Sequence, residues 1–204
     1  MNLPNRLTIS RILLVPFILL FMLPPQASTI AWLGQNGLQG LADSLHGWSR
    51  FLDGAGLYIA GALFLVAALT DTLDGSIARK RGLVTNLGKF LDPIADKVLV
   101  ASVLVALVQL GRVGALGVIV ILLREFVVSA LRMVASDKGI VIAAGVMGKV
   151  KMVLQIVAIL LLMFEDLAPF LPVLAGFVYF LAVLVTLYSG VEYVVKHAEA
   201  LVDS

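Results

Sequence analysis

Apolar residues along the chain are gathered into runs of about 20, which short polar segments separate. A helix of that length rises about 30 Å, the thickness of the hydrocarbon core of a bilayer, so each run predicts a membrane-spanning helix. Six such runs occur, at 7–24, 55–80, 89–110, 113–135, 146–164 and 171–195. The pattern therefore predicts an all-α polytopic membrane protein built as a six-transmembrane-helix bundle.

The segment between the first two spans is more polar, yet it keeps a helical pattern. Leu38, Leu41, Leu45, Trp48 and Leu52 recur at steps of three and four residues. This spacing is typical of an amphipathic helix at a membrane surface, and we expect an outer interfacial helix here. The alternative is a mobile loop whose apolar residues cover the bundle.

Composition agrees with the bilayer as the main environment of the chain. Hydrophobic residues make up 61% of it and charged residues 14%, with a mean hydropathy of +1.06. A soluble domain is roughly half apolar. There is no cysteine, which excludes disulfides and thiolate metal sites. We find no internal repeat and no linker, so we expect one domain over residues 1–204, with no nucleic-acid partner.

Basic residues are distributed unevenly between the two sides of the predicted bundle. An even number of spans places both termini on one side, and Arg50 and Arg112 are the only basic residues of the opposite side. Because cytoplasmic segments are enriched in Lys and Arg, both termini are predicted to be cytoplasmic. A compact chain of this kind suits a bacterial inner membrane. The basic residues of the inner side are Arg6, Arg11, Arg79, Lys80, Arg81, Lys89, Lys97, Arg132, Lys138, Lys149, Lys151 and Lys196.

Four acids meet at the inner boundary of the membrane, two at the end of the second span and two at the start of the third. Residues three or four apart share a helix face, and the short loop through Gly82 makes the two helices antiparallel neighbours. Pro93 is compatible with a third helix that begins near Lys89, because first-turn amides have no partners to lose. The converging acids are Asp71, Asp74, Asp92 and Asp96.

Carboxylates held together in a low-dielectric setting repel one another, so this arrangement predicts a bound cation. Oxygen ligands without His or Cys favour Mg²⁺ or Mn²⁺, and several carboxylates suit two ions that hold a pyrophosphate. Gly75 would let a diphosphate approach the helix backbone, and the small side chain of Ala78 would leave room for it on the same face. Arg79 would bind a phosphate through two hydrogen bonds. The alternative is a set of exposed acids paired with neighbouring Lys and Arg at the headgroup level.

The spacing of these residues resembles a known signature. The pattern D-x2-D-G-x2-A-R-x8-G-x3-D-x3-D, complete in this chain from Asp71 to Asp96, is that of the CDP-alcohol phosphatidyltransferases. The resemblance implies a six-helix bundle, usually a homodimer, that transfers phosphatidyl from CDP-diacylglycerol to an alcohol. It further implies that Asp71, Asp74 and Asp92 bind metal, and that Asp96 completes the metal site and takes the proton from the acceptor hydroxyl.

Segments outside the signature resemble the family members that act on glycerol 3-phosphate. The N-terminal Leu3–Arg11 is similar to their Pro-Asn-x-Leu-Thr pattern, which implies that Asn5 and Thr8 face the nucleotide. An ordinary helix cap is the alternative for either residue. The resemblance implies that CDP-diacylglycerol is bound by Asn5, Thr8, Asp71, Gly75, Ala78 and Arg79.

The fourth span carries Arg124 and Glu125 near mid-depth, followed by Ser129-Ala-Leu-Arg132, similar to the pattern of the same members. This implies an acceptor-phosphate pocket in which Arg124 is a principal contact, because charges inside a membrane usually line functional cavities. A local structural pair of Arg124 with Glu125 is the alternative.

The fifth span opens with Gly148-Lys149-Val150-Lys151, resembling the family pattern Gly-Lys-x-Lys-Thr, although Met152 replaces the threonine. Lys149 and Lys151 are roughly 200° apart on a helix, so both cannot face one pocket unless the helix begins later. Positive-inside anchoring is the alternative for each. The implied ligands of glycerol phosphate are therefore Arg124, Arg132, Lys149 and Lys151.

The expected reaction is transfer of phosphatidyl from CDP-diacylglycerol to glycerol 3-phosphate with release of CMP. A dianionic acceptor requires cations besides the metals, whereas serine, inositol and choline have no phosphomonoester. Phosphatidylglycerol and inositol phosphate remain alternative acceptors within the family. From another class, a divalent-cation transporter remains an alternative, although transporters tend to bind their ions at the membrane midplane.

Overall fold

The computed structural model describes residues 3–81, 86–137 and 145–202, and for helical residues 3–8, 71–81, 86–93, 96, 137 and 197–202 it describes the backbone. All regular structure within these ranges is helical, and they contain no strand. The α-helices of these ranges are α1 (Leu3–Met22), α2 (Ala27–Gln35), α3 (Gln39–Phe51), α4 (Leu57–Arg81), α5 (Asn86–Gln109), α6 (Ala115–Asp137), α7 (Val146–Met163) and α8 (Leu171–Val202).

Helices α1 and α4–α8 coincide with the six predicted spans, but the six-span count is not confirmed. By length and apolarity, the described residues contain three candidate spans, which become four if the bent pair of α1 and α2 is one span. Helix α6 carries Arg124, Glu125 and Arg132 within a short stretch, which lowers its apolarity. The candidates are Gln39–Thr70, Val146–Met163 and Leu171–Lys196.

Contacts between helices divide the chain into two compact units, Met1–Ala106 and Leu107–Ser204. In the first unit α1 packs against α4, with Ile18 and Phe64 fully buried. The single domain over 1–204 stays a prediction.

The segment predicted as an outer interfacial helix is helical, but it forms two helices rather than one. The α1 and α2 axes differ by 76°, whereas α3 continues into α4 through a π-helical turn at Leu52–Gly56. A Cβ at Gly56 would lie 2.4 Å from the carbonyl oxygen of Phe21. Glycine is therefore required where this turn meets α1, and α3 extends the acid-bearing helix α4.

Helix α5 begins at Asn86, three residues earlier than predicted, so the expectation for Pro93 is wrong. Pro93 is the eighth residue of α5 and does not lie in its first turn. Because proline has no amide hydrogen, the carbonyl of Lys89 lacks its usual partner one turn later.

The second unit packs α8 against both α6 and α7. Its apolar core includes Ile121 on α6, Ile159 on α7 and Ala182 on α8. Polar side chains are buried in the same unit, namely Lys151, Gln155, Thr186 and Ser189. Buried polar groups inside an apolar bundle require partners, and of these four residues Lys151 belongs to the candidate acceptor site.

Candidate active site

The four signature acids lie on two helices that follow one another in the chain. Helix α4 is continuous through Arg81, as the sharing of one helix face by Asp71 and Asp74 requires. Helix α5 does the same for Asp92 and Asp96. Four carboxylates are hard oxygen donors and fit Mg²⁺ or Mn²⁺ by their chemistry.

The side chains of the predicted donor and metal site lie outside the described part of the chain, so their roles stay predictions. Among the side chains that are described, no group of three or more His, Cys, Asp or Glu could hold a metal ion. The predicted site residues concerned are Asn5, Thr8, Asp71, Asp74, Gly75, Ala78, Arg79, Asp92 and Asp96.

The predicted acceptor residues include a buried ionic group that joins α6 to α7. Nη1 of Arg124 donates to Oε1 of Glu125 at 3.0 Å, and Nζ of Lys151 donates to the same oxygen. The side chains of Arg124 and Lys151 are each 9% exposed, and that of Glu125 is 17% exposed. We call Arg124, Glu125 and Lys151 the α6–α7 ion cluster. The structural pair considered for Arg124 does form, but Lys151 joins it from another helix.

The α6–α7 ion cluster combines two cations with one carboxylate, so its three side chains carry a net charge of +1. Within the described residues, Nε of Arg124 is buried without a hydrogen-bond partner. Buried charge is costly unless it is paired, and an arginine fork matches phosphate oxygens well. Nε of Arg124 is therefore a buried donor that is suited to bind an anion.

An open groove with a volume of about 340 Å³ lies between α6 and α8, with Arg124 in its wall. The other lining residues are aliphatic apart from Gly190 and most are exposed, so Arg124 is the charged group of this groove. On the side of α7, a Cβ built at Gly148 would lie 3.9 Å from Nη2 of Arg124. The guanidinium thus lies close to the first turn of α7, beside residues of all three helices of the unit.

Lys149 and Lys151 differ sharply in environment. Lys151 is buried against Glu125, whereas Lys149 is exposed. Helix α7 begins at Val146, so both residues are helical and point to opposite sides, as their separation of about 200° requires. The structure brings Lys151 to Arg124 and leaves Lys149 away from this cluster.

Arg132 lies two turns beyond Arg124 on α6 and has a separate partner. Its Nε donates to the hydroxyl of Tyr193 at 3.4 Å, and its guanidinium carbon lies 5.4 Å from the centre of that ring. This geometry combines a long hydrogen bond with a cation–π contact. Eight residues of helix separate Arg132 from Arg124 by about 12 Å, so they are not adjacent cations.

Sequence reasoning missed the polar side chains of α8 and their partners. Nε2 of Gln155 donates to Oγ1 of Thr186 at 2.9 Å, and Tyr193 receives Arg132. Isolated polar residues in two apolar runs were the available signal, because buried polar groups in a membrane bundle usually bond across helices.

A sequence model of the CDP-alcohol phosphatidyltransferase family matches residues 1–188 of the chain. A Bacillus subtilis relative, named CDP-diacylglycerol--glycerol-3-phosphate 3-phosphatidyltransferase, is 41% identical over 100% of this chain and 98% of its own length. A Rickettsia felis protein of the same name is 32% identical over 94% of this chain and 93% of its own. A Mycobacterium tuberculosis protein, named probable phosphatidylglycerophosphate synthase, is 41% identical over 68% of this chain and 65% of its own length. Because the family model matches most of this chain, the chain belongs to the CDP-alcohol phosphatidyltransferases.

Proposed function

We propose that the chain transfers the phosphatidyl group of CDP-diacylglycerol to glycerol 3-phosphate, which gives phosphatidylglycerophosphate and CMP. Family membership and the names of its relatives support the reaction. The observation that carries the choice of acceptor is the α6–α7 ion cluster, in which Arg124 and Lys151 share one carboxylate. Two buried cations suit a phosphomonoester, which serine, inositol and choline lack.

The bond changes define the groups that the reaction needs. The primary hydroxyl oxygen of glycerol 3-phosphate forms a bond to the phosphorus that carries diacylglycerol, and the bond from that phosphorus to CMP breaks. Asp96 accepts the hydroxyl proton, so the attacking oxygen gains electron density as the new bond forms. Two Mg²⁺ or Mn²⁺ ions, when held by Asp71, Asp74, Asp92 and Asp96, supply charge neutralisation at the diphosphate.

The two substrates are bound by different helices of the chain. Asp71, Gly75, Ala78 and Arg79 on α4 hold the diphosphate of CDP-diacylglycerol, and Asn5 and Thr8 on α1 contact its nucleotide. Arg124 and Lys151 bind the phosphate of the acceptor, and Arg132 lies further along the same face of α6. The exposed Lys149 contributes positive charge near the approach to this pocket.

In the bilayer, the six long helices form six spans, and the functional unit is a homodimer. The uneven distribution of Lys and Arg supports cytoplasmic termini and a cytoplasmic active site in a bacterial cell membrane. Soluble glycerol 3-phosphate then reaches the acids from the aqueous side, while the acyl chains of the donor stay in the lipid.

An acceptor panel tests the proposed function. The chain is purified in detergent and supplied with CDP-diacylglycerol and Mg²⁺ or Mn²⁺, and CMP release is followed with glycerol 3-phosphate, serine, inositol, inositol phosphate and phosphatidylglycerol. We expect turnover with glycerol 3-phosphate. Turnover with another acceptor but not with glycerol 3-phosphate would overturn the proposal that glycerol 3-phosphate is the acceptor. No CMP release with any acceptor, together with Mn²⁺ uptake into vesicles, would favour the transporter.

The base assignment has its own test with a matched control. Asp96→Asn keeps the side-chain size but cannot take a proton, so we expect CMP release to fall by at least about 100-fold. Asp43, an exposed acid on α3, provides the control, and Asp43→Asn is expected to keep full activity. Full activity in a folded Asp96→Asn protein would contradict the role of Asp96.

A further inference from the structure

One face of α8 contacts the polar groups of both other helices in its unit. Thr186, Gly190 and Tyr193 are spaced by four and three residues and so lie on one side of the helix. Thr186 receives Gln155 of α7, and Tyr193 receives Arg132 of α6. Between these two contacts, Gly190 meets the side chain of Arg124.

The contact at Gly190 leaves no room for a side chain at this position unless Arg124 moves. A Cβ built there would lie 2.8 Å from Cγ and 3.6 Å from Cβ of Arg124. Carbon atoms in contact prefer about 3.5–4.0 Å, so the aliphatic stem of Arg124 occupies the space of the missing side chain. The stem passes directly against the backbone of α8, and its guanidinium reaches Glu125.

We propose that Gly190 is a positioning residue for the acceptor, because it fixes the path of Arg124 and thereby the affinity for a phosphomonoester. This inference rests on the proposed function, in which Arg124 binds the acceptor phosphate. Phosphate recognition by arginine depends on the orientation of its planar fork, so a displaced stem weakens binding even when the charge remains.

The open groove beside this contact gives the side chain of Arg124 room to move if position 190 carries a larger residue. Arg124 and Gly190 both line the 340 Å³ space between α6 and α8. A methyl group at position 190 displaces the stem of Arg124 into this space and away from Glu125. The protein keeps room to fold while the guanidinium loses its position, so the substitution affects acceptor binding more than stability.

Gly190→Ala tests the inference, and Gly176→Ala on the same helix is the matched control. A Cβ at Gly176 would meet no atom within 4 Å, so this control adds the same methyl group to α8 without a contact. We expect Gly190→Ala to raise the KM for glycerol 3-phosphate at least about 10-fold. The KM for CDP-diacylglycerol should stay within about two-fold, and Gly176→Ala should leave both constants within about two-fold.

A double-mutant cycle shows whether Gly190 acts through Arg124. In Arg124→Ala the stem is gone, so a methyl group at position 190 has room, and Gly190→Ala should change the acceptor KM by less than about two-fold in that background. If the increases in acceptor KM caused by the two single substitutions multiply in the double variant, Gly190 acts independently of Arg124 and the inference is wrong. If Gly190→Ala alone fails to fold, the clash with Arg124 should be the cause. Adding Arg124→Ala should then restore the thermal unfolding temperature, and a double variant that stays unfolded would also overturn the inference.

The same measurements separate this inference from the proposed function. If the wild-type chain and Arg124→Ala have equal acceptor KM values, the acceptor pocket itself is wrong. If Arg124→Ala raises the acceptor KM but a folded Gly190→Ala protein has the same acceptor KM as the wild type, only the role inferred for Gly190 is wrong.

Discussion

Two ionic groups of the second unit have opposite charge balance. In the α6–α7 ion cluster, two cations share one carboxylate. In the other group, which we call the loop ion cluster, Arg112 faces both Glu165 and Asp166. Nη1 of Arg112 lies 3.0 Å from Oε1 of Glu165 and donates to the carbonyl of Leu162 at 2.8 Å. One cation thus meets two carboxylates and the end of α7.

The two clusters have similar burial but differ in composition, since one holds two cations and the other holds two carboxylates. The Arg112 side chain is only 15% exposed, close to the 17% of Glu125. Its positive charge is nevertheless fully matched, and it satisfies a carbonyl at a helix C-terminus, where cations are stabilising. The loop ion cluster matches its one cation with two carboxylates, whereas the α6–α7 ion cluster places two cations on one carboxylate.

Removing a cation from the α6–α7 ion cluster is expected to have the largest effect of the following changes. A charge-assisted hydrogen bond contributes about 1.5–3 kcal/mol, so Lys151→Ala should raise the KM for glycerol 3-phosphate by about 10- to 100-fold. The exposed Lys149 provides the comparison, and Lys149→Ala should change the same constant by less than about three-fold. Steady-state kinetics with both substrates measure this difference, and equal effects of the two variants would contradict the inferred pocket.

Removing the shared carboxylate tests whether the phosphate of glycerol 3-phosphate can take its place. Glu125→Gln leaves Arg124 and Lys151 without their shared anion, which destabilises the free protein by about 2–3 kcal/mol. Glycerol 3-phosphate should restore part of this loss, so its stabilising effect on thermal unfolding should be larger in the variant than in the wild type. A loss of stability that saturating glycerol 3-phosphate does not reduce would argue against an anion site.

Breaking the loop ion cluster should have the smallest effect, confined to stability. Arg112→Ala removes partly exposed ion pairs and one helix-end hydrogen bond, about 1–2 kcal/mol together. We expect the thermal unfolding temperature to fall by about 2–8 °C while both KM values stay within about two-fold. A selective change in acceptor KM would show that the two clusters do not differ in role.

The sequence predicted the helices and the acid-bearing segments well because both depend on local spacing. Apolar runs of bilayer length mark α1 and α4–α8, and the signature identifies the acids at the end of α4 and in the first part of α5. The number of spans is harder to predict, because α6 combines an apolar run with four charged residues, and the length of the run does not show whether it still crosses the bilayer. The bend before α2 and the continuation of α3 into α4 also depend on packing against α1.

The acceptor site was predicted less completely, because its geometry depends on residues far apart in the chain. Lys151 is 26 residues from Glu125, and the side of α7 that meets Glu125 depends on how the helices pack, although the start of α7 was predicted at residue 146. Gly190 has no sequence signal of its own, since its contact with Arg124 exists only once α8 packs against α6. The sequence therefore singled out the charged residues of α6 and α7, but it did not predict their contacts with other helices.

The π-helical turn at Leu52–Gly56 restricts where this chain can tolerate insertions and deletions. The turn holds one more residue than an α-helical turn, and Gly56 locks it against the carbonyl of Phe21. Loss of a single residue here would rotate α3 by about 100° relative to α4 and expose the side that buries Ala42 and Leu52. Near this turn, changes in length are better tolerated in the connection before α3, at 36–38, where they leave the rotation of α3 relative to α4 unaltered.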